Sequence, residues 1–223
     1  MNKILVIAPH PDDETLGCGG TLLKHKSKGD QIFWLIVTAA TEDIGYNAEK
    51  IMQISQEITR VSEAYKFSLV YECGFTTTRL DTVPLTDIIE KFSGIFQQIE
   101  PDIVYLPYRG DVHTDHRIVF DAASSFLKWF RYPSVIRALV YETLSETDFA
   151  LNPEYNAFRP NVFIDISSFL DKKTKIMKMY SGESGYFPFP RSEEAIRAQA
   201  ALRGVASGFK AAEAFMLLKE IIK

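Results

Sequence analysis

Two short strings hold the residues best suited to chemistry, His10-Pro11-Asp12-Asp13-Glu14 and Asp111-Val112-His113-Thr114-Asp115-His116. Within four positions the first brings an imidazole together with two adjacent carboxylates, Asp12 and Asp13, and the second holds a close pair of imidazoles with acids around them. Imidazole and carboxylate form the donor set of catalytic divalent metals. Three such ligands leave a fourth position for water, whose pKa the metal lowers to about 7. His10, Asp13 and His116 would make such a set. The rest of the second string can then supply a general acid or electrostatic partner and an orienting carboxylate.

Structural readings compete with this one. An aspartate ahead of a helix satisfies orphan N–H groups and suits the positive end of the helix dipole. Capping accounts for one aspartate at most, and it gives no reason for a second histidine-rich string. The glycines of Gly17-Cys18-Gly19-Gly20 hint at a dinucleotide loop, but they follow two acids and lack the G-x-G-x-x-G spacing. Cys18 among them reads as a small residue in a close-packed place. His25, among lysines on an expected helix, reads as a solvated surface residue.

The positioning elements follow from periodicity. Ile4 to Ala8 is a buried-type strand ending at a proline, so it delivers the first string to the carboxyl edge of a sheet, where open α/β sheets bind ligands. A helix over about Thr15 to Lys28, a stop at Gly29-Asp30 and a strand at Ile32 to Val37 complete a βαβ beginning. The rhythm continues with a helix over about Glu49 to Tyr65, a strand at Ser68 to Tyr71, a helix over Leu85 to Gln98 and a strand at Ile103 to Leu106. A helix near Asp115 to Phe130 and a strand at Ala138 to Tyr141 come next. Beyond about Asn152 the pattern loosens into a strand at Asn161 to Ile166 and helices at Ser168 to Tyr180 and Glu193 to Ala206. The alternation predicts an α/β fold: a Rossmann-like, mostly parallel sheet with helices on both faces. Residues 1–223 are expected to form one domain, with the last third, about 152–223, elaborating it.

Composition narrows the function classes. The net charge of −4 and the lack of a basic block exclude a nucleic-acid footprint. No stretch approaches the roughly 18 apolar residues of a membrane span, and no signal region precedes the first strand, so the expectation is a soluble, cytoplasmic protein. With only two cysteines, a transition-metal site must rest on histidine and carboxylate.

His10-Pro11-Asp12-Asp13-Glu14-Thr15-Leu16-Gly17-Cys18-Gly19-Gly20-Thr21, together with Asp111-x-His113-x-Asp115-His116, resembles the PIG-L/LmbE-like family of zinc-dependent deacetylases of N-acetylglucosamine-type sugars. Thr38 to Glu42, Arg60-x-x-Glu63-Ala64 and the stretch Ala200 to Phe215 extend the resemblance over most of the chain. It implies His10, Asp13 and His116 as ligands of Zn2+, with Fe2+ or Co2+ as alternatives. It implies Asp12 as the general base, His113 as the oxyanion stabiliser that also serves the leaving amine, and Asp115 as the carboxylate that orients His113. The implied substrate is a small N-acetylated sugar or sugar conjugate; homo-oligomerisation is left open.

Departures from the family pattern fall at substrate contacts. Thr77 stands where many members carry a sugar-contacting aspartate, and Tyr180-Ser181-Gly182-Glu183 stands for a His-x-Ser-Gln element. Arg60, Tyr180 and Arg191 are the candidate substrate-binding residues, Arg60 foremost among the arginines, with Arg203 a further candidate. Deacylation of a non-sugar amide and non-catalytic, metal-dependent sugar binding are the alternative functions.

Overall fold

The computed structural model describes residues 1–150 and 157–222. In chain order the elements are β1 (Lys3–Ala8), α1 (Asp13–Ser27), β2 (Gln31–Ala39), α2 (Ala48–Tyr65), β3 (Leu69–Thr76), α3 (Leu85–Ile99) and β4 (Ile103–Pro107). They continue with α4 (Thr114–Ser124), β5 (Arg137–Tyr141), β6 (Val162–Asp165), α5 (Leu170–Met177), α6 (Glu193–Val205) and β7 (Ala212–Glu220). One seven-stranded sheet runs in the order β3-β2-β1-β4-β5-β7-β6. Strands β1 to β5 are parallel, while β7 is antiparallel to both its neighbours. The α/β fold with a mostly parallel sheet is the one expected.

Alternation along β1 explains the two-sided core. Ile4, Val6 and Ala8 enter one apolar cluster and Leu5 and Ile7 the other, all without solvent exposure. Helices α1 and α2 supply Leu16, Leu22, Ile58 and Val61 to the first cluster, whereas α3 and α4 supply Ile88, Phe92, Phe96 and Val119 to the second. The helix after β1 and the helix after β4 therefore cover opposite faces. Their strands are neighbours, with Val6 opposite Tyr105. This is the point where the strand order reverses, and a crevice opens there at the carboxyl ends.

Helix α1 is broken internally. Cys18 has φ −142° and ψ 21°, which interrupts the hydrogen-bond ladder between Leu16 and Gly20. Glu213 of β7 accepts the freed N–H groups of Gly20 (2.8 Å) and Thr21 (2.7 Å). Lys173 of α5 donates to the Leu16 carbonyl (2.8 Å) and pairs with Glu213 (2.7 Å). The break lets the chain pass close to the sheet: a Cβ on Gly17 would lie 2.2 Å from the Tyr141 ring. Cys18 is fully buried, in agreement with the packing role expected for it.

Several boundaries differ from expectation. Strand β7 is not anticipated by periodicity, because Glu213 is a charged residue on a buried face and breaks the alternation. Helix α4 ends at Ser124, whose hydroxyl bonds back to the Asp121 carbonyl (2.9 Å), and a short 3-10 turn follows to Leu127. Trp129 and Phe130 thus lie outside the helix, largely exposed. Helix α5 covers only the middle of its expected span, while β3 runs five residues past Tyr71. The transition expected near Asn152 lies outside the described residues. His25 is not a solvated residue: its Nδ1 is 2.8 Å from Asp30 and its Nε2 2.9 Å from the Tyr105 hydroxyl, because the last turn of α1 packs over β4. No helix among the described residues is long and apolar enough to cross a membrane.

Candidate active site

The two chemical strings meet because β1 and β4 are hydrogen-bonded neighbours. Pro9 and His10 leave the end of β1 directly into α1, and His113 and His116 open α4 just after β4. Nδ1 of His10 lies 3.2 Å from Oδ2 of Asp13, and Nε2 of His116 lies 3.3 Å from the same oxygen. One donor atom from each of these three residues falls within 4.8 Å of the others.

Each of the two imidazoles is backed by a carboxylate on its far nitrogen. Asp111 accepts from Nδ1 of His116 (2.7 Å), and its other oxygen accepts from Thr147 (2.6 Å). Asp115 faces Nε2 of His10 (3.2 Å) and accepts the backbone N–H groups of Thr78 (2.8 Å) and Leu80 (3.3 Å). Such partners fix ring orientation and tautomer in metal-binding histidines. With its proton held by Asp111, a neutral His116 would present a lone pair at Nε2, a buried nitrogen without a hydrogen-bond partner among the described residues. That orphaned nitrogen, beside Asp13 and Nδ1 of His10, fits a divalent cation.

Electrostatics point the same way. Burial disfavours charge on His10, yet hydrogen bonds it donates to Asp115 and Asp13 outweigh it and raise the pKa to about 9. His116 is raised well above its ordinary value as well, because Asp13 and Asp111 overcome its desolvation. Burial pushes Asp13 up, but His116 and His10 bring it well below the usual carboxylate range. The pocket therefore stabilises positive charge, which protons or a metal ion can supply.

Asp12 occupies the N-cap position of α1 without capping it: its side chain makes no bond to the helix. Its backbone has φ 131°, a conformation strained for any residue but glycine. Two neighbouring side chains hold it. Its N–H donates to the carboxylate of Glu14 (3.1 Å), and its own carboxylate receives Nη1 of Arg191 (2.8 Å). Glu14 is fully buried and is anchored by the Tyr180 hydroxyl (2.8 Å) and by Thr15. Burial raises Glu14 to about 7, while hydrogen bonds from Thr15, Tyr180 and the Asp12 N–H act against that shift. Asp12 is itself raised well above its usual range by burial and by Asp13, with Arg191 opposing. A carboxylate with elevated basicity next to a cation site suits proton abstraction from water.

His113 and Asp115 relate differently from the expected pairing. The Asp115 carboxylate is 4.0 Å from Nδ1 of His113, too far for a hydrogen bond, because it is committed to His10 and to the Thr78 and Leu80 amides. The backbone N–H of Asp115 instead donates to Nδ1 of His113 (3.1 Å). A neutral His113 must then carry its proton on Nε2, as a donor. Burial and the nearby His10 and His116 push its pKa down to about 4, so the ring is neutral at pH 7.

His10, Asp12, Asp13, His113 and His116 line an open cavity of about 210 Å³, with Tyr180 and Arg191 on its wall. Arg60 is the exception among the candidate substrate contacts: it is exposed on α2 and does not line this cavity, because α2 turns its Ile54 and Glu57 face toward the site. Arg203 forms a bidentate pair with Glu142 (Nε to Oε1, 2.7 Å) away from the cavity. Glu146 and Glu183, both held by Arg191, together with Lys50 and Tyr46, also line the cavity, and of these only Glu183 lies in a string with a sequence signal, Tyr180-Ser181-Gly182-Glu183. They come from loops and a helix whose sequence has no strand-end pattern. Asp111 did have a signal, its place five residues before His116 in the second string.

Comparison with known proteins agrees with the geometry. The chain is 25% identical over 223 residues to a diacetylchitobiose deacetylase of Thermococcus kodakarensis, covering 96% of this chain and 82% of that one. It is 27% identical over 183 residues to a probable N-acetyl-alpha-D-glucosaminyl L-malate deacetylase 2 of Bacillus cereus, covering 76% and 78%. The crystal structure of a conserved protein from Thermus thermophilus, TT1542, superposes with a TM-score of 0.78 at 25% identity, over 100% of this chain and 97% of that one. The family model described as PIG-L, GlcNAc-PI de-N-acetylase, matches residues 5–127, which hold both chemical strings and the strands that aim them, and the chain belongs to that family.

Proposed function

We propose that the chain is a zinc-dependent N-deacetylase of a small N-acetylated sugar or sugar conjugate, working as one domain over residues 1–223. The observation that carries this reading is the pair of carboxylate-backed histidines converging on Asp13, with the strained Asp12 beside them. The relatives named for deacetylation of diacetylchitobiose and of a glucosaminyl malate conjugate support the sugar class. His10, Asp13 and His116 would hold the zinc ion, and their mixed nitrogen and oxygen donors suit it. Bound there, the metal supplies Lewis acidity and lowers the pKa of water.

The remaining chemistry belongs to side chains. Asp12 accepts the proton of the water that attacks the amide carbonyl. His113, a neutral donor at Nε2, faces the oxygen that gains negative charge. As the C–N bond breaks, Asp12 returns its proton to the departing nitrogen, in place of His113, whose single ring proton is committed to the oxyanion, giving acetic acid and the free amine. Arg191 keeps the Asp12 carboxylate in place, and Glu14 keeps its backbone turned.

Substitution Asp12→Ala tests the reading. Acetate release is expected to fall by about 10²- to 10⁴-fold, the usual contribution of a general base, while metal analysis still finds about one zinc per chain. A protein that takes up no zinc, or a variant with undiminished turnover, refutes it. Activity on acylated amines but on no sugar would shift the substrate class.

A further inference from the structure

Of the charged side chains that line the cavity outside these roles, one differs from the rest in its partners. Its acids are engaged: Asp12 and Glu146 pair with Arg191, as does Glu183, and Asp13 faces the two imidazoles. Glu57 accepts from Gln53 (2.9 Å), from the Ser181 backbone (3.2 Å) and from the Ser181 hydroxyl (2.7 Å). Arg191 is engaged by three carboxylates and by Ser145 (2.8 Å). Lys50 also lines the cavity, half-buried, and its ammonium forms no ion pair or hydrogen bond among the described residues.

Two further features mark its position. Lys50 lies in the first turn of α2, where a cation opposes the helix dipole and so adds nothing to helix stability. Its ammonium also rests against a residue with no side chain, since a Cβ on Gly182 would lie 2.9 Å from Nζ. Lys50, Ile54 and Glu57 share one face of α2 at helical spacing, so the ammonium projects along the wall that a bound sugar would face.

We propose that Lys50 is a specificity-determining residue that binds an anionic substituent, carboxylate or phosphate, on the N-acetylated sugar conjugate. The inference rests on the deacetylase reading and narrows it to acidic conjugates. An ammonium is a compact point charge with three donors and suits either anion. Its shortage of internal partners leaves it ready for one supplied by the ligand.

The test compares kcat/KM of the zinc-loaded full chain on three substrates: methyl N-acetylglucosaminide, N-acetylglucosamine 6-phosphate and a glycoside of N-acetylglucosamine carrying a carboxylate on its aglycone. The ratio of an anionic substrate to the neutral one is read within each variant, so a general loss of fold or metal cancels. In the wild type at least one anionic substrate is expected to lead. Lys50→Met should reduce that ratio by about 10- to 100-fold, the scale of a charged hydrogen bond, whereas Lys50→Arg should retain most of it. Added salt should erode the ratio in the wild type more than in Lys50→Met. Turnover with a ratio indifferent to Lys50→Met overturns the inference and leaves the deacetylase reading standing. If no acetate is released from any sugar, the deacetylase reading fails and takes this inference with it.

Discussion

Removing the Glu213 carboxylate should destabilise the protein far more than an average substitution, and the reason lies in the break in α1. Glu213 and Lys173 have side chains 4% and 3% exposed, so Glu213→Ala leaves an ammonium buried with only the Leu16 carbonyl to accept from it. The same change strips the acceptor from the Gly20 and Thr21 amides. Breaking a buried pair by deleting one partner costs about 3–5 kcal/mol. Each amide left unsatisfied adds up to about 1–3 kcal/mol unless water reaches it. Partial relaxation and water entry argue for a total of about 4–6 kcal/mol, which for a chain of this size is roughly 10–20 °C in Tm. Urea unfolding followed by circular dichroism measures the loss directly. Glu213→Gln keeps one acceptor and should fall between wild type and alanine. Lys173→Met combined with Glu213→Gln should recover part of the loss, giving a measurable coupling energy. A Glu213→Ala variant within about 1 kcal/mol of wild type would show that the break in α1 does not depend on this clasp.

Asp111→Asn should weaken zinc binding by about 10- to 100-fold, the usual effect of losing a histidine's carboxylate partner, and competition with a chromogenic chelator will measure it; unchanged affinity would contradict the tautomer assigned to His116. Burial holds the pKa of His25 below its ordinary 6.5, with Asp30 only partly offsetting this. The unfolded chain therefore takes up that proton at higher pH than the folded one. The contribution of His25 is then fully present above about pH 6.5 and declines as the pH falls below it. Between pH 7.5 and 5.5 the urea midpoint should drop less in His25→Gln than in the wild type, and parallel pH dependences would refute the assignment.

Much of the site can be read from the strings alone because strand ends are legible. A run such as Ile4 to Ala8 ending at Pro9 says where His10 must emerge, and Ile103 to Leu106 does the same for the second string. Residues that act through tertiary contact leave no such mark. Lys50, Glu146 and Glu183 reach the cavity from a helix face and from loops, and nothing in their local sequence fixes which way they point. Asp115 illustrates the limit differently: its neighbour in sequence is His113, but its carboxylate is drawn to His10 by the Thr78 and Leu80 amides. Strand β7 is hidden because a buried acid makes sense only once Lys173 and the broken helix are in view.

The adjacency of β1 and β4 has a consequence for how the molecule comes into being. Asp13 from the first string meets His116 from the second across more than a hundred positions of chain, so the proposed ligand set does not exist in any local fragment and forms only when these two strands pair. During synthesis at about 5–20 residues per second, the first half of the site waits several seconds or more for the second. A metal ion that required both halves would then bind one topology alone. Its uptake would report, in a refolding experiment, the moment at which the centre of the sheet closes.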